Sequence, residues 1–544
     1  MKKYTGKGVN GAIAMGKVFL CKKEETAVMP ERAEDVSLEK ERVAVARAMA
    51  MEQLREIRGR ALQEAGEADA GIFEAHMLLL EDVSYNDFID NILESRHVKA
   101  EYAVAETADH FGEMFASMED PCLKARAADL RDVSDRLIAN LRGECAGGRE
   151  PEEQVILCAR DLSPSETVSL DREKILAFVT ARGAVNSHTA ILARGMDIPA
   201  VVGVGDLFLE ETAEGSRAIV DGSTGEVIID PDEETYDAYA EKRREEEERR
   251  RLLQGLKGRE NVTLDGRRVR ICANIGDVRE VDAAFRSDAG GIGLFRSEFL
   301  YLESSDYPTE EQQFSVYRKV LEGMPGKKVI IRTLDIGGDK QADYFGLKKE
   351  ENPALGYRGI RICLTRPEIF KTQLRALYRA SVYGNMGILF PMIVSAAELE
   401  KTLEICREVR EELDVRGVSY SHDVELGIMI ETPAAALISD RLAPMVDFFS
   451  VGTNDLTQYT LACDRQNPDV EPFVDPHHEA VLRLIGMSAD NAHRHGAWIG
   501  ICGELAADTS LTETFLRMGI DELSVSPASV LELREKVRSL DLSV

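Results

Sequence analysis

No two of the nine cysteines form a CxxC pair or a zinc-ligand spacing. A dithiol redox centre and a cysteine-ligated zinc centre are therefore not expected, and reduced thiols in a cytosol are the simple reading. No apolar run approaches the ~18 residues of a membrane span. The basic start Met1-Lys2-Lys3 lacks the unbroken apolar core of a signal peptide, because Gly16 and Lys17 interrupt the stretch that follows. A cytoplasmic protein with no membrane insertion is expected. Basic residues are scarce as well: 67 Lys and Arg stand against 97 Asp and Glu, a net charge of −30. That argues against nucleic acid or an anionic membrane as a partner and suits a basic protein surface. At 544 residues the chain exceeds one ordinary core, so two to four domains are predicted.

Residues 35 to 143 are patterned as helix. Val43, Ala46, Ala50, Leu54, Ile57 and Ala61 recur at three- and four-residue steps and lay one apolar stripe along a long helix. Ile72, Phe73, His76, Met77 and Leu80 predict a second helix, Ala105, Ala108, Phe111 and Phe115 a third, and Leu130, Val133, Leu137 and Leu141 a fourth. A helical bundle or pair of hairpins follows. From Glu152 the texture changes to short apolar runs, as in Val155-Ile156-Leu157, Leu176-Ala177-Phe178-Val179, Ala200-Val201-Val202 and Val227-Ile228-Ile229. Ser163, Pro164 and Glu166 make a capping box, so a helix is expected to start there. The runs Ile13-Ala14-Met15 and Val18-Phe19-Leu20 add strands to the same unit. Residues 1–20 and 150–230 are thus read as one α/β domain, with 21–149 as a helical subdomain inserted in it. The charged stretch 231–260 carries Glu245–Arg249, Glu246–Arg250 and Glu247–Arg251 at i,i+4 and is read as a solvated helical linker.

Beyond Asn261 strands and helices alternate. Segments 269–275, 290–295, 328–333, 387–391, 424–430, 447–451, 498–502 and 522–525 are eight candidate strands, which predicts a (β/α)8 barrel over 261–544. Such a barrel keeps its chemistry at the C-terminal ends of its strands. There the sequence places Arg296-Ser297-Glu298, Arg332 to Asp335, Glu431, Asn454-Asp455 and Cys502-Gly503-Glu504, with Arg358 and Arg465 in loops on the same face. Arginines pair bidentately with phosphate and with carboxylate. Glu431 and Asp455 suit Mg²⁺, which takes one or two carboxylates and completes its shell with substrate oxygens and water. Gly337-Gly338-Asp339-Lys340 lacks the spacing of a Walker loop, which leaves Lys340 as a point charge able to touch a phosphate.

The stretch from Gly183 to Gly203, GAVNSHTAILARGMDIPAVVG, sets His188 among small hydroxyl and amide side chains at a strand-to-helix turn. Free backbone N–H groups there favour an anion, so the ring is placed to receive a phosphoryl group. This stretch and DFFSVGTNDLTQ, from Asp447 to Gln458, resemble the two signatures of the phosphoenolpyruvate-utilising enzymes. From about Lys7 to about Ser526 the chain resembles the enzyme I family of the bacterial sugar phosphotransferase system.

The resemblance implies an α/β multidomain fold: a phosphohistidine α/β swivelling domain with an inserted α-helical subdomain that docks HPr, joined by a helical linker to a C-terminal TIM barrel that binds phosphoenolpyruvate. It implies transfer of the phosphoryl group to Nε2 of His188, release of pyruvate, and passage of the group to a histidine of the carrier protein HPr. It casts His188 and Cys502 as catalytic, the thiol as proton donor to C3 of enolpyruvate, and Thr167 as a support for the ring. Arg296, Arg332, Asn454, Asp455 and Arg465 would hold the substrate, Glu431 and Asp455 the Mg²⁺, and the barrel would form a homodimer. The acidic residues Glu67, Asp69, Glu74, Glu81 and Asp82 are the expected carrier dock.

Departures exist. Val185 and Asn186 stand where many relatives carry Arg and Thr, Asn10-Gly11 where many have Ser-Pro, and Gln466 and Ala507 each replace a frequent glycine. None removes a group that makes or breaks a bond. Pyruvate phosphate dikinase and phosphoenolpyruvate synthase share the histidine loop and barrel but need an ATP-binding domain of some 200 residues or more, for which the ~130 helical residues are too few. A regulatory paralogue that transfers nothing would be expected to lack His188 or a metal carboxylate, and this chain keeps both.

Overall fold

A computed structural model describes residues 1–21, 28–64, 67–116, 121–143, 151–162, 170–183, 189–190, 193, 198–302, 304–337, 342–465 and 467–543. Contacts divide the chain into two compact units, Met1–Arg249 and Arg250–Val544. Among the described residues no helix is long and apolar enough to cross a membrane.

The first unit is built on an eight-stranded sheet: β1 (Lys2–Thr5), β2 (Lys7–Gly8), β3 (Ile13–Cys21), β4 (Val155–Ala159), β5 (Ile175–Thr180), β6 (Ala200–Val202), β7 (Arg217–Asp221) and β8 (Glu226–Ile229). Their order is β1-β8-β7-β3-β4-β5-β6-β2. Strands β3 to β6 run parallel, and β4 and β5 are apolar up to Thr180 because both faces of a parallel ladder are covered. The runs 13–15 and 18–20 form one strand, since Gly16 and Lys17 stay in register opposite Ala218 and Arg217.

Among the described residues between β3 and β4 stand five helices: α1 (Val36–Glu64), α2 (Glu67–Glu81), α3 (Val83–Arg96), α4 (Ala100–Ala116) and α5 (Pro121–Arg142). Val43, Ala46, Ala50, Leu54 and Ile57 of α1 are buried as the stripe predicts, against Phe73, Leu80, Val133 and Leu137. The apolar pattern predicts four helices, and α3 is the additional one. The break is made by Asp82, whose carboxylate accepts the Tyr85 N–H at 2.9 Å and restarts the helix, with Tyr85, Ile89, Ile92 and Leu93 buried beyond it.

The charged helix Glu233–Gln254 is not solvated along its whole length. Tyr236, Tyr239 and Ala240 lie on Ile13, Met15, Ile219 and Ile228 of the sheet. Arg217 stacks over Tyr236 at 4.0 Å, and Lys242 Nζ is 2.7 Å from Asp221 Oδ2. Three apolar positions at i, i+3 and i+4 are enough to dock a helix whose composition is otherwise charged. Burial works against the Asp221 carboxylate, but Lys242, the Ser223 hydroxyl and the Thr224 and Ser223 N–H groups outweigh it and hold its pKa down at about 2. A depressed carboxyl stabilises the fold above its unfolded pKa and loses that contribution as pH falls through the folded value. Asp221→Asn is therefore expected to lower stability by roughly 1–3 kcal/mol at neutral pH. It should also flatten the decline between about pH 4 and about pH 2, which denaturant midpoints across that range would show.

The second unit is a closed barrel of eight parallel strands: β9 (Arg270–Ile275), β10 (Gly291–Arg296), β11 (Lys328–Arg332), β12 (Asn385–Phe390), β13 (Glu425–Ile430), β14 (Phe448–Val451), β15 (Trp498–Ile501) and β16 (Glu522–Val525). All eight fall within two residues of the expected bounds. Leu294, Ile330, Leu389, Met429, Phe448 and Cys502 fill the inside. Ile271, Val329, Ile388, Phe449 and their neighbours pack outward against the helices. Phe448 stacks on Trp498 at 4.6 Å, in space kept open by Gly427, where a Cβ would meet the Phe448 ring at 2.4 Å. These two aromatics sit at the starts of β14 and β15 and close that mouth. The C-terminal mouth is left to polar side chains.

Candidate active site

The polar side chains there form one alternating chain of charge. Arg332 ends β11 and its carbonyl accepts from Ser297 Oγ at 2.5 Å, which ties it to the residue after β10. Its guanidinium pairs with the buried Glu298 and lies 3.2 Å from Asp335 Oδ2. Asp335 in turn takes Arg358 Nη2 on both oxygens, each at 3.2 Å, while Arg358 Nη1 reaches Asp455 Oδ1 at 3.3 Å and the Tyr459 hydroxyl at 3.2 Å. Burial alone would favour losing these positive charges. Glu298 and Asp335 at Arg332, and Asp335 and Asp455 at Arg358, more than offset it, so both guanidiniums are held charged above their ordinary range.

Glu431 follows β13 and is fully buried. One oxygen accepts the Met392 N–H at 2.5 Å, from a residue held at φ 58°, and the other, Oε2, has no hydrogen-bond partner among the described residues. Burial, then the charges of Asp455 and Asp335, push its pKa up to about 8. An orphaned carboxylate oxygen beside a second carboxylate suits a divalent cation. Among the described residues no three His, Cys, Asp or Glu side chains group closely enough to hold a metal by themselves. An ion at Glu431 and Asp455 would thus complete its shell from substrate and water, as Mg²⁺ does.

Cys502, the residue after β15, is buried, and its thiol donates to Val451 O at 3.6 Å. Burial pushes the thiol up to about 11, against a pull downward from Ser450, Arg332 and Arg296. An unperturbed thiol titrates at roughly 8.5, so the enclosed site keeps this one protonated throughout the neutral range.

Arg296 ends β10 with its side chain exposed at the rim. Asn454 and Asp455 lie in the first turn of helix Thr453–Leu461. Arg465 stands on an exposed loop beyond that helix, tied back by its N–H to Gln458 Oε1 at 3.1 Å. The barrel thus gathers Arg296, Arg332, Glu431, Asn454, Asp455 and Cys502 on one edge and leaves Arg465 at the periphery. His188, Thr167, the capping box at 163–166, and Asp339 and Lys340 lie outside the described residues. Sequence reasoning assigned no role to Glu298 or Asp335, although Arg332 and Asp335 stand three apart just past a strand. The Met392 N–H left no signal, being a backbone donor.

Three family descriptions match consecutive parts of the chain: "PEP-utilising enzyme, N-terminal" at residues 5–126, "PEP-utilising enzyme, mobile domain" at 151–225, and "PEP-utilising enzyme, PEP-binding domain" at 250–542. Similar curated proteins carry the name phosphoenolpyruvate-protein phosphotransferase. The one from Priestia megaterium is 43% identical over 540 residues, covering 99% of this chain and 94% of its own length. That from Bacillus subtilis is 42% identical over 541 residues, with 99% and 95% covered. That from Staphylococcus carnosus is 40% identical over 543 residues, with 100% and 95% covered.

Proposed function

The chain belongs to the phosphoenolpyruvate-utilising enzyme family, among its phosphoenolpyruvate-protein phosphotransferases, and on that premise we propose that it moves the phosphoryl group of phosphoenolpyruvate to His188 and then to a histidine of HPr. The observation that carries the reading is the buried run Glu298–Arg332–Asp335–Arg358–Asp455, ending beside Glu431. Two guanidiniums fixed in place and kept charged face a substrate that carries a phosphate and a carboxylate.

In this reading Arg296, Arg332, Arg358 and Arg465 pair with substrate oxygens, and the turn at Asn454 and Asp455 sets the substrate's depth. The neutral His188 ring attacks phosphorus in line: an N–P bond forms as the P–O bond to the enol oxygen breaks. The electron pair left on enolpyruvate takes a proton at C3 from the Cys502 thiol, which gives pyruvate and a thiolate that solvent reprotonates. Mg²⁺ held by Glu431 and Asp455 would supply neutralisation of phosphoryl and enolate charge. One histidine serves both a barrel substrate and a carrier protein, so the segment that bears it has to exchange partners.

The helical subdomain is the proposed carrier dock. Asp82 is engaged in capping α3, Glu74 lies 3.6 Å from Arg58, and Glu81 lines a groove of ≈ 340 Å³ with Ala44, Arg47, Ala48 and Met51. The side chains of Glu67 and Asp69 lie outside the described residues. The proposed acidic dock remains the set Glu67, Asp69, Glu74, Glu81 and Asp82. Cytoplasmic residence and a homodimer through the barrel belong to the same proposal.

The test is incubation with phosphate-labelled phosphoenolpyruvate and Mg²⁺, comparing the parent chain with His188→Ala. Acid-labile, alkali-stable label on the parent alone, with pyruvate released, is the expected result. A folded parent that takes no label would overturn the reading and leave a regulatory binding protein.

A further inference from the structure

Glu504 has no part in the reaction described above, yet it is bound to the turn that carries Asp455. Asn454 Nδ2 donates to Glu504 Oε1 at 2.9 Å, and the Glu504 backbone N–H donates to Asn454 Oδ1 at 3.0 Å. This ring of two hydrogen bonds fixes the amide's orientation, because only its oxygen can face an N–H and only its NH₂ a carboxylate. The Asn454 side chain is therefore engaged by Glu504 before any substrate arrives.

The same two turns meet at a second point. After β14 the chain passes through Gly452 into helix Thr453–Leu461, and after β15 through Cys502 and Gly503 into the turn Glu504–Ala507. A Cβ on Gly503 would fall 2.0 Å from Thr453 Oγ1 and 2.5 Å from Thr453 N, so bare backbone of one turn lies against the other. Thr453 Oγ1 is buried in that contact with no hydrogen-bond partner among the described residues. Both the Cys502 N–H, at 3.1 Å, and its thiol, at 3.6 Å, donate to Val451 O. The register of the two turns therefore sets where the thiol stands relative to Asp455.

We propose that Glu504 is a positioning residue: through Asn454 it clasps the turn bearing Cys502 to the turn bearing Asp455, and so keeps the proton donor in register with the enolate. The inference rests on the reading of Cys502 as donor to C3.

Its test is exchange of pyruvate methyl protons with deuterium oxide, followed by NMR on the full-length chain with Mg²⁺. Exchange runs the proton step backwards without phosphoryl transfer: the thiolate takes a methyl proton, the resulting thiol swaps it for deuterium with the solvent, and the deuteron is returned to carbon. Glu504→Ala is expected to slow exchange by about ten- to a hundredfold, the cost of a donor displaced by up to an ångström. Single-turnover phosphorylation by phosphoenolpyruvate should fall far less, and the thermal midpoint should hold. Glu504→Gln, whose amide oxygen still accepts from Asn454, should recover most of the exchange. If Cys502→Ala exchanges as fast as the parent, the donor reading fails and the clasp with it. If Cys502→Ala stops exchange while Glu504→Ala leaves it at the parental rate, the donor reading survives and the clasp alone is overturned. Equal loss of exchange and phosphorylation in Glu504→Ala would also overturn it, since the residue would then be a general support of the site.

Discussion

Arg358→Ala is expected to lose turnover and barrel stability together. Arg358 is 2% exposed and is the counter-charge to two carboxylates at once, with 3.2 Å contacts to both oxygens of Asp335 and a 3.3 Å contact to Asp455. Removing it leaves Asp455 without this guanidinium beside the buried Glu431, and Asp335 with Arg332 alone. Breaking a buried pair in this way costs about 3–5 kcal/mol, most of it the penalty of the abandoned charge. The same deletion removes a guanidinium from the phosphate and carboxylate of the substrate, so kcat/KM for phosphoenolpyruvate should fall by at least about 100-fold. Arg358→Lys separates the two effects. An ammonium restores the charge but cannot span Asp335 and Asp455 as a fork does, so stability should largely return while kcat/KM stays low. Denaturant unfolding and steady-state pyruvate release would decide. An Arg358→Ala chain that unfolds at the parental denaturant concentration would show that these carboxylates do not depend on it.

Much of this was legible in the sequence, for physical reasons that differ from element to element. The eight barrel strands stood out because their apolar runs are bounded by turns, and because such a barrel keeps its catalytic side chains at the C-terminal ends of its strands. Arg332, Glu431, Asp455 and Cys502 could be read from their place just past a strand. How they are held could not. Glu298 and Asp335 look like ordinary acids until the closed barrel brings them to Arg332, and Glu431 is oriented by a main-chain N–H that any residue at 392 would supply. Helix α3 was hidden by its closeness to α2, where one capping carboxylate rather than a loop makes the break. In the charged helix, Tyr236, Tyr239 and Ala240 were outweighed by their surroundings. The Asn454–Glu504 clasp joins residues 50 apart and has no local signature.

Glu431 should make divalent-cation binding release a proton. With EDTA present, burial and the neighbouring carboxylates raise its pKa to about 8, against 4.5 for a free glutamate. Below pH 4.5 the carboxyl is neutral in the folded and unfolded chains alike, so its contribution to stability does not vary there. Between the two values the unfolded chain ionises it and the folded chain does not, so stability falls as pH rises and the loss is complete above about 8. The total is on the order of 5 kcal/mol. A cation at Oε2 reverses the preference, because it needs the carboxylate. Mg²⁺ or Mn²⁺ should therefore bind up to about tenfold more tightly per unit of pH through the neutral range, with close to one proton released per ion. Calorimetry in buffers of different ionisation enthalpy would count that proton. Glu431→Gln should bind the ion weakly and release none. The same variant without metal should unfold later than the parent at about pH 8, since the amide is never asked to ionise. Proton release that persists undiminished in Glu431→Gln would assign the titrating group to another carboxyl of the cluster, Asp455 or Asp335, and would remove Glu431 from the cation's shell.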